Sequence, residues 1–542
     1  MFSEHHPQHK LICTLLLFLF AAGVQLSQPL GAAQLQTPPK AGPPRNQLAP
    51  KAAHPAPARR TLDRRIDGIL AAGNAQHGAW GIEVMELESG VLLYQRDADH
   101  LFLPASNMKM FTTAAALEKL GPDYVFHTTV ESDTAPDAEG RVSSLYLVGR
   151  GDPNLGRRTF PYTYHGAQQP ADTFLQELAS QVKAHGVREV AGALVADDSY
   201  FLWEPYAPNW AAGDLEWGYG APVTALAFND NSLTLHVKPG LKAGAPAEVT
   251  LEPADGHYQL RNRVETSAPG TEKRVFVERL PGSMQLDVWG QIAVDSDEDT
   301  DTVAIQNPPQ LVVELFARAL EAQGIVVKGG IEVRHSTRLE AASQPDSFSR
   351  PTTRVVLAVH DSPPLCEALK VINKESQNLH AEMLLRTLGQ VTRNYGSLTV
   401  GLDALNQFAA QQVGIGPGET FFSDGSGLSR EDLVAPRAAV ELLLYMARSP
   451  RFLDFFDSLS VSGVDGTLTH RLSSDGMTGK IHAKTGSVEH VNALSGYMDL
   501  PSGKRLAFSI MANNLALSGK AGQETLDAIA VEIYRWFAGR GK

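Results

Sequence analysis

Apolar residues recur along this chain with two different periods, and the switches between them divide it into parts. Leu62, Ile66, Ile69 and Leu70 fall about one helical turn apart and predict a helix over 62–75. Over 79–96 (AWGIEVMELESGVLLYQR) two apolar runs flank Glu88-Ser89-Gly90, the pattern of a β-hairpin. Met110, Thr113, Ala114 and Leu117 return to helical spacing, in a helix starting near Ser106. From about 130 to 350 the texture becomes short apolar runs between Gly, Pro and Asp turns. Strands are predicted there at 144–148, 189–195 and 275–280, interrupted by one amphipathic helix over about 310–323. Beyond 360 helical spacing dominates, over 364–373, 378–388, 397–412 and 435–449. Three strands follow, near 481–484, 493–499 and 505–512, and a helix over 524–537 closes the chain. Segments 62–130 and 352–542 therefore suit a single α/β (α+β) domain. The region 131–351 is expected to be a mainly β insertion holding two sub-domains.

The N-terminus does not share this pattern. An apolar run of 16 residues, 11–26, follows a polar stretch ending at Lys10 and precedes Gly31, Ala32 and Ala33. This is the layout of a secretory signal peptide over 1–33, cut after Ala33, and the run falls short of the ~20 residues a spanning helix needs. Residues 34–61, rich in Pro, Ala and Arg, are expected to form an extended tether. Asp63 against seven basic residues gives 34–65 a charge of +6; with −13 overall and a neutral 1–33, the remaining chain carries −19. Such an acidic body argues against nucleic acid as a partner. The basic tether suits spacing and solubility; an anionic membrane or wall polymer is the other surface it could meet. Export would leave Cys366 without Cys13, so no disulfide within the chain is expected and the core must hold the fold. The acidic run Asp295, Asp297, Glu298, Asp299 and Asp301 lacks the glycine and glutamate of a calcium loop. It is expected to be a solvated loop, and no metal site is expected.

Three short motifs carry the candidate chemistry: Ser106-Asn107-Met108-Lys109, Ser376-Gln377-Asn378 and Lys484-Thr485-Gly486, in that order. Each alone is common in long proteins. Ser106 and Lys109, three residues apart at a helix start, share one face. A serine is a weak nucleophile until a neighbour takes its proton, and a lysine can do so only if burial or nearby positive charge lowers its pKa. Lys484 is a candidate for that second charge. Ser376 and Asn378 fall at a loop-to-helix junction, where a serine is also a good N-cap. As catalytic groups, Ser376 would relay a proton to a leaving group and Asn378 would offer its amide to a substrate carbonyl and to Lys109. Lys484-Thr485-Gly486 is expected to end a strand whose free edge accepts an extended peptide. Backbone N–H groups of Ser106 and Ser487 would form an oxyanion hole, and Lys484 would meet a carboxylate. No G-x-S-x-G elbow, H-E-x-x-H or phosphate-binding loop competes with this reading.

The three motifs together form the set found in penicillin-reactive serine enzymes, and 270 residues separate Ser106 from Ser376, room for a further domain. Val148-Gly149-Arg150-Gly151-Asp152-Pro153, Tyr219-Gly220-Ala221-Pro222-Val223 and Asp424-Gly425-Ser426-Gly427-Leu428-Ser429-Arg430 extend the likeness. From about 62 to 540 the chain resembles D-alanyl-D-alanine carboxypeptidases/endopeptidases of the DacB type, the class C low-molecular-mass penicillin-binding proteins. That resemblance implies a serine β-lactamase/transpeptidase-like domain with a large insertion between the first and second motifs. It implies an exported, periplasmic or envelope-associated enzyme that needs no cofactor. Such an enzyme removes the terminal D-Ala from peptidoglycan stem peptides, often cuts D-Ala–meso-diaminopimelate cross-links, and is acylated by β-lactams on the same serine. It also implies a subsite for the diaminopimelate side chain. Asp214, five residues before Tyr219, would supply part of it, with Leu428 and Arg430 opposite. Two rival readings remain at this level. A β-lactamase shares the motifs but has a far shorter gap, and a non-catalytic wall-binding protein would not need all of them.

Overall fold

The computed structural model describes residues 56–542 except 255–256, 281, 344–352, 475 and 540–542. The expected signal peptide and most of the tether lie outside the described residues. Among the described residues no helix is long and apolar enough to cross a membrane.

A six-stranded antiparallel sheet joins the two ends of the chain. Its order is Ser460–Val461, Ile481–Val488, Val491–Asp499, Arg505–Asn513, Ala79–Glu86, Leu92–Arg96. The expected hairpin of 79–96 thus pairs with the last strand, Ile82 opposite Ile510. Side chains alternate between the faces of a strand, and here both faces are apolar and both are covered. Leu506, Phe508, Ile510 and Ala512 pack with Leu62, Ile66, Leu526, Ile529 and Ile533, the buried stripes of the helices Ala56–Ala71 and Gly519–Ala538. Ala507 and Met511 instead join Phe111, Leu384, Leu443 and their neighbours on the opposite face. That side carries the helices Met108–Leu120, Asn378–Arg393 and Pro436–Met446. Mixed α/β architecture with helices around a sheet, and a mainly β region between the first two motifs, is the fold class expected.

The middle region contains a five-stranded sheet, Ile331–Ser336, Leu194–Leu202, Leu145–Val148, His127–Ser132, Val355–Asp361, and smaller sheets beyond it. The predicted strand 189–195 is two strands, Glu189–Val190 and Leu194–Leu202, in different sheets. The chain turns at Gly192, where a Cβ would come 2.3 Å from the Ser143 carbonyl oxygen. The predicted helix near 310–323 is Pro308–Ala322, started by Asn307, whose side chain accepts from Gln310 N. It has an unpredicted companion, Thr173–Ala184, which buries Phe174, Leu175, Leu178 and Val182 against the same core. Part of the acidic run is strand rather than loop: Asp299–Ala304 pairs with Ser232–Lys238, because Thr300, Thr302 and Val303 continue a β pattern through the acids.

Phe508 lies at the centre of the six-stranded sheet and is fully buried. Phe508→Ala is expected to destabilise the fold by about 3–5 kcal/mol, measured by denaturant unfolding; a loss under about 1 kcal/mol would contradict this placement of the core.

Candidate active site

Ser106 stands in a 3₁₀ turn, Ala105–Asn107, that runs directly into the helix Met108–Leu120. Ala105 has φ +45°, a left-handed conformation that side chains rarely adopt. The surroundings hold it there. Buried Asn107 donates through Nδ2 to Ser495 Oγ at 2.7 Å, and Ser495 donates to Ser509 at 2.9 Å, so the turn is pinned to two strands of the central sheet. Two glycines press on the same turn. A Cβ on Gly427 would lie 1.9 Å from the Ala105 carbonyl oxygen, and one on Gly486 would lie 2.6 Å from that of Pro104. Any larger residue at either position would push the turn aside.

Lys109, one helical turn on, is fully buried. Its Nζ lies 2.9 Å from Ser106 Oγ, 2.6 Å from Asn378 Oδ1 and 2.7 Å from the carbonyl oxygen of Ser426. Burial lowers its pKa to about 7, against the opposing pull of the carboxylates of Asp424, Glu382 and Asp432. A neutral amine has two N–H groups and one lone pair. Asn378 Oδ1 and Ser426 O, both acceptors, take the two hydrogens. The lone pair is left facing the Ser106 hydroxyl, the arrangement a general base requires.

The other two motifs meet beside this pair. Lys484, also fully buried, donates to Ser376 Oγ at 2.9 Å and to the Thr485 carbonyl oxygen at 2.9 Å. Burial first, and the charge of Lys109 second, hold its pKa well below the usual lysine range. Desolvation, rather than Lys484, is the main cause of the low pKa of Lys109. Ser376 is not the helix N-cap; Gln377 is, its side chain accepting from Leu379 N. Ser376 sits one residue earlier at φ +64°, with its hydroxyl turned to Lys484. Lys484-Thr485-Gly486 lies inside the strand Ile481–Val488, not at its end, because the pairing with Val491–Asp499 continues to Val488. The outer neighbour, Ser460–Val461, covers only His482 and Ala483, so the edge from Lys484 to Val488 is free among the described residues. Thr485 Oγ1 lies 2.7 Å from Thr467 Oγ1, and Ser487 is exposed, its hydroxyl accepting from Asn492. A cleft of about 230 Å³ brings together Ser106, Ser376, Thr485, Gly486 and Ser487.

Of the proposed side-chain subsite, Tyr219 donates to Asp214 Oδ1 at 3.1 Å and is about half exposed. Burial and the Asp214 charge push the Tyr219 hydroxyl up to about 12, so it stays a neutral donor. The Tyr219 carbonyl oxygen accepts from Asn378 Nδ2 at 2.8 Å, which ties this loop to the centre and occupies one amide hydrogen of Asn378. Leu428 is buried, while Arg430 is exposed and donates to the Glu489 carbonyl oxygen.

The structure adds a supporting layer absent from the sequence reading. Asp424 accepts from the backbone N–H groups of Ser426 and Ser429 and from Trp210 Nε1 at 2.9 Å. Glu382 accepts from Gly425 N and from Arg386. Together they shape the loop that presents Ser426 O to Lys109. Burial, then the Asp424 charge, raises the pKa of Glu382 and, further, that of Asp432. The signal in the sequence is the pair of acids, Asp424 and Asp432, bracketing a loop rich in Gly and Ser.

A profile of the D-Ala-D-Ala carboxypeptidase 3 (S13) family matches residues 62–534. The chain belongs to this family. It is 36% identical over 483 residues to the D-alanyl-D-alanine carboxypeptidase of Actinomadura sp. (strain R39), covering 87% of this chain and 84% of that one. It is 27% identical over 467 residues to the D-alanyl-D-alanine carboxypeptidase DacB of Haemophilus influenzae, covering 84% and 89%. In three dimensions it is similar to the crystal structure of penicillin binding protein 4 (dacB) from Haemophilus influenzae, with a TM-score of 0.71 at 24% identity over 86% of this chain and 99% of that one. A second crystal structure of that protein, complexed with a novel beta-lactam, gives a TM-score of 0.67 at 24% identity over 87% and 99%. Membership of the S13 family makes this chain a carboxypeptidase-family hydrolase on the penicillin-binding protein 4 fold.

A general base at Lys109 would require that lysine neutral. D-Ala release at low substrate is expected to rise with pH through about 7 and then level off. A pH–rate profile that falls across this interval would contradict Lys109 as the base.

Proposed function

We propose that this S13 family member is a serine D,D-peptidase that works through an acyl-enzyme on Ser106. The observation that carries this reading is the position of the Lys109 amine, buried with its pKa lowered to about 7 and bonded to Ser106, Asn378 and Ser426 at once. Lys109 takes the Ser106 proton as Oγ attacks the carbonyl of the penultimate D-Ala. The backbone N–H groups of Ser106 and Ser487 receive the developing oxyanion, a role in which one lost donor typically lowers the rate ~10²–10³-fold. The terminal carboxylate of the substrate enters beside Lys484, Thr485 and Ser487. Its negative charge stabilises Lys484 as an ammonium while Lys109 stays neutral. The proton taken from Ser106 returns through Lys484 and Ser376 to the departing amine nitrogen, and the C–N bond breaks. Water then attacks the ester, with Lys109 again as base, and frees Ser106.

The same chemistry cleaves a cross-link whose leaving amine belongs to diaminopimelate instead of D-Ala. Asp214 and Tyr219, tied to Asn378 through the Tyr219 carbonyl, are proposed to hold the side chain of the stem peptide being acylated, with Leu428 and Arg430 across from them. β-Lactams acylate Ser106; the beta-lactam complex of the Haemophilus protein of the same fold supports this. Peptidoglycan lies outside the cytoplasmic membrane, and the apolar run at 11–26 supports export to meet it.

A fluorescent penicillin is expected to label the wild type and not Ser106→Ala. Lys109→Ala is expected to lower D-Ala release from a pentapeptide by ~10²–10⁴-fold. Equal labelling of wild type and Ser106→Ala would overturn the nucleophile. Rapid penicillin turnover with no D-Ala release would point to a β-lactamase instead.

A further inference from the structure

A second cavity, of about 630 Å³, adjoins the catalytic cleft. Thr467 lines both, and Glu375, on the wall of the larger one, directly precedes Ser376. The larger cavity therefore begins beside the groups that receive the leaving half of the substrate. The loop 157–168 and strands of the middle region complete its walls.

The cations in this cavity differ in how they are engaged. Arg158 is bound by Asp230 and Glu375, and Lys374 by Asp465 and the Leu459 carbonyl oxygen, so both build the wall. Arg157 is less committed. Its Nη2 pairs at 2.9 Å with Glu252, whose own side chain is half exposed, and its Nε is buried with no acceptor. An incoming carboxylate can replace Glu252 on Arg157 and reach the spare Nε–H, a fork suited to bidentate binding. Tyr164, half-buried and packed on His165 with ring centroids 4.0 Å apart, offers an aromatic face in the same cavity.

A departing D-Ala is one residue and needs none of this space. The leaving half of a cross-link carries a whole stem peptide, with further carboxylates, on the amine released when the acyl–nitrogen bond breaks. We propose that this cavity binds the leaving stem peptide of a cross-linked substrate, with Arg157 receiving one of its carboxylates and Tyr164 packing on its backbone. The inference rests on the D,D-peptidase reading above and assigns it a site for the second strand.

The test compares two substrates with the whole protein: a monomeric pentapeptide and a purified cross-linked peptide dimer. Arg157→Ala, Arg157→Glu and Tyr164→Ala are each measured on both. For the arginine variants, kcat/KM on the dimer is expected to fall about tenfold or more, the scale of a lost charged hydrogen bond, chiefly through KM. Pentapeptide hydrolysis and penicillin labelling should stay within about twofold of wild type, which also shows that the variants fold. Equal losses on both substrates, or none on the dimer for any of the three variants, overturn the proposal. So does a wild type that releases D-Ala but leaves the dimer intact; that result spares the peptidase reading. A wild type that neither binds penicillin nor releases D-Ala removes the peptidase reading, and this inference with it.

Discussion

Two buried lysine side chains, Lys109 against Ser106 and Lys484 against Ser376, are the constraint on which the rest of this molecule depends. Burial penalises each ammonium separately, and the charge of Lys109 lowers the pKa of Lys484 further. One neutral lysine is therefore the favoured state of the pair. The carboxylates of Asp424, Glu382 and Asp432 pull the other way, toward a protonated Lys109. Burial outweighs them, in part because Glu382 and Asp432 are themselves buried beside Asp424 and have their own pKa values raised. The result is an amine close to neutrality at physiological pH, with its hydrogens assigned to Asn378 and Ser426.

Holding such a pair requires a frame that does not relax. The six-stranded sheet provides it, since Asn107 reaches Ser495 and, through it, Ser509 on two adjacent strands. Gly427 and Gly486 let the loop and the motif strand approach the backbone of the Ser106 turn more closely than a side chain would allow. The positive φ of Ala105 and of Ser376 is the local strain that this close packing sustains.

The middle region is not a passive appendage. Trp210 supports Asp424, Tyr219 takes one amide hydrogen of Asn378, and Asp230 accepts from both Arg158 and the buried His380 of the helix Asn378–Arg393. The contacts of Trp210 with Asp424, Tyr219 with Asn378 and Asp230 with His380 each link segments 150 residues or more apart. They run from the middle region into the loop and helix that carry Asn378 and Ser426, so displacement of that region would loosen the polar shell of Lys109. Asp230 and Arg158 of the same junction line the larger cavity.

Period and spacing in the sequence were enough to locate the hairpin at 79–96, the helix after Ser106, the run of helices beyond 360 and the final three strands, because a buried face imposes its repeat directly on the residues. They were also enough to put Ser106 and Lys109 on one helix face, a relation of local geometry. The helix Thr173–Ala184 has its stripe of Phe174, Leu178 and Val182 in the sequence, but the strand-like runs around it mask that period. What depended on distant partners could not be seen there. The turn at Gly192 follows from the nearness of Ser143. The extension of the motif strand to Val488 follows from its pairing with Val491. The service of Gln377, rather than Ser376, as the helix cap follows from the pull of Lys484 on the serine hydroxyl. Above all, a lysine's pKa is set by what surrounds it, and Lys109 is held by Asn378 and Ser426, from two distant stretches of chain that only the folded protein brings within hydrogen-bond reach.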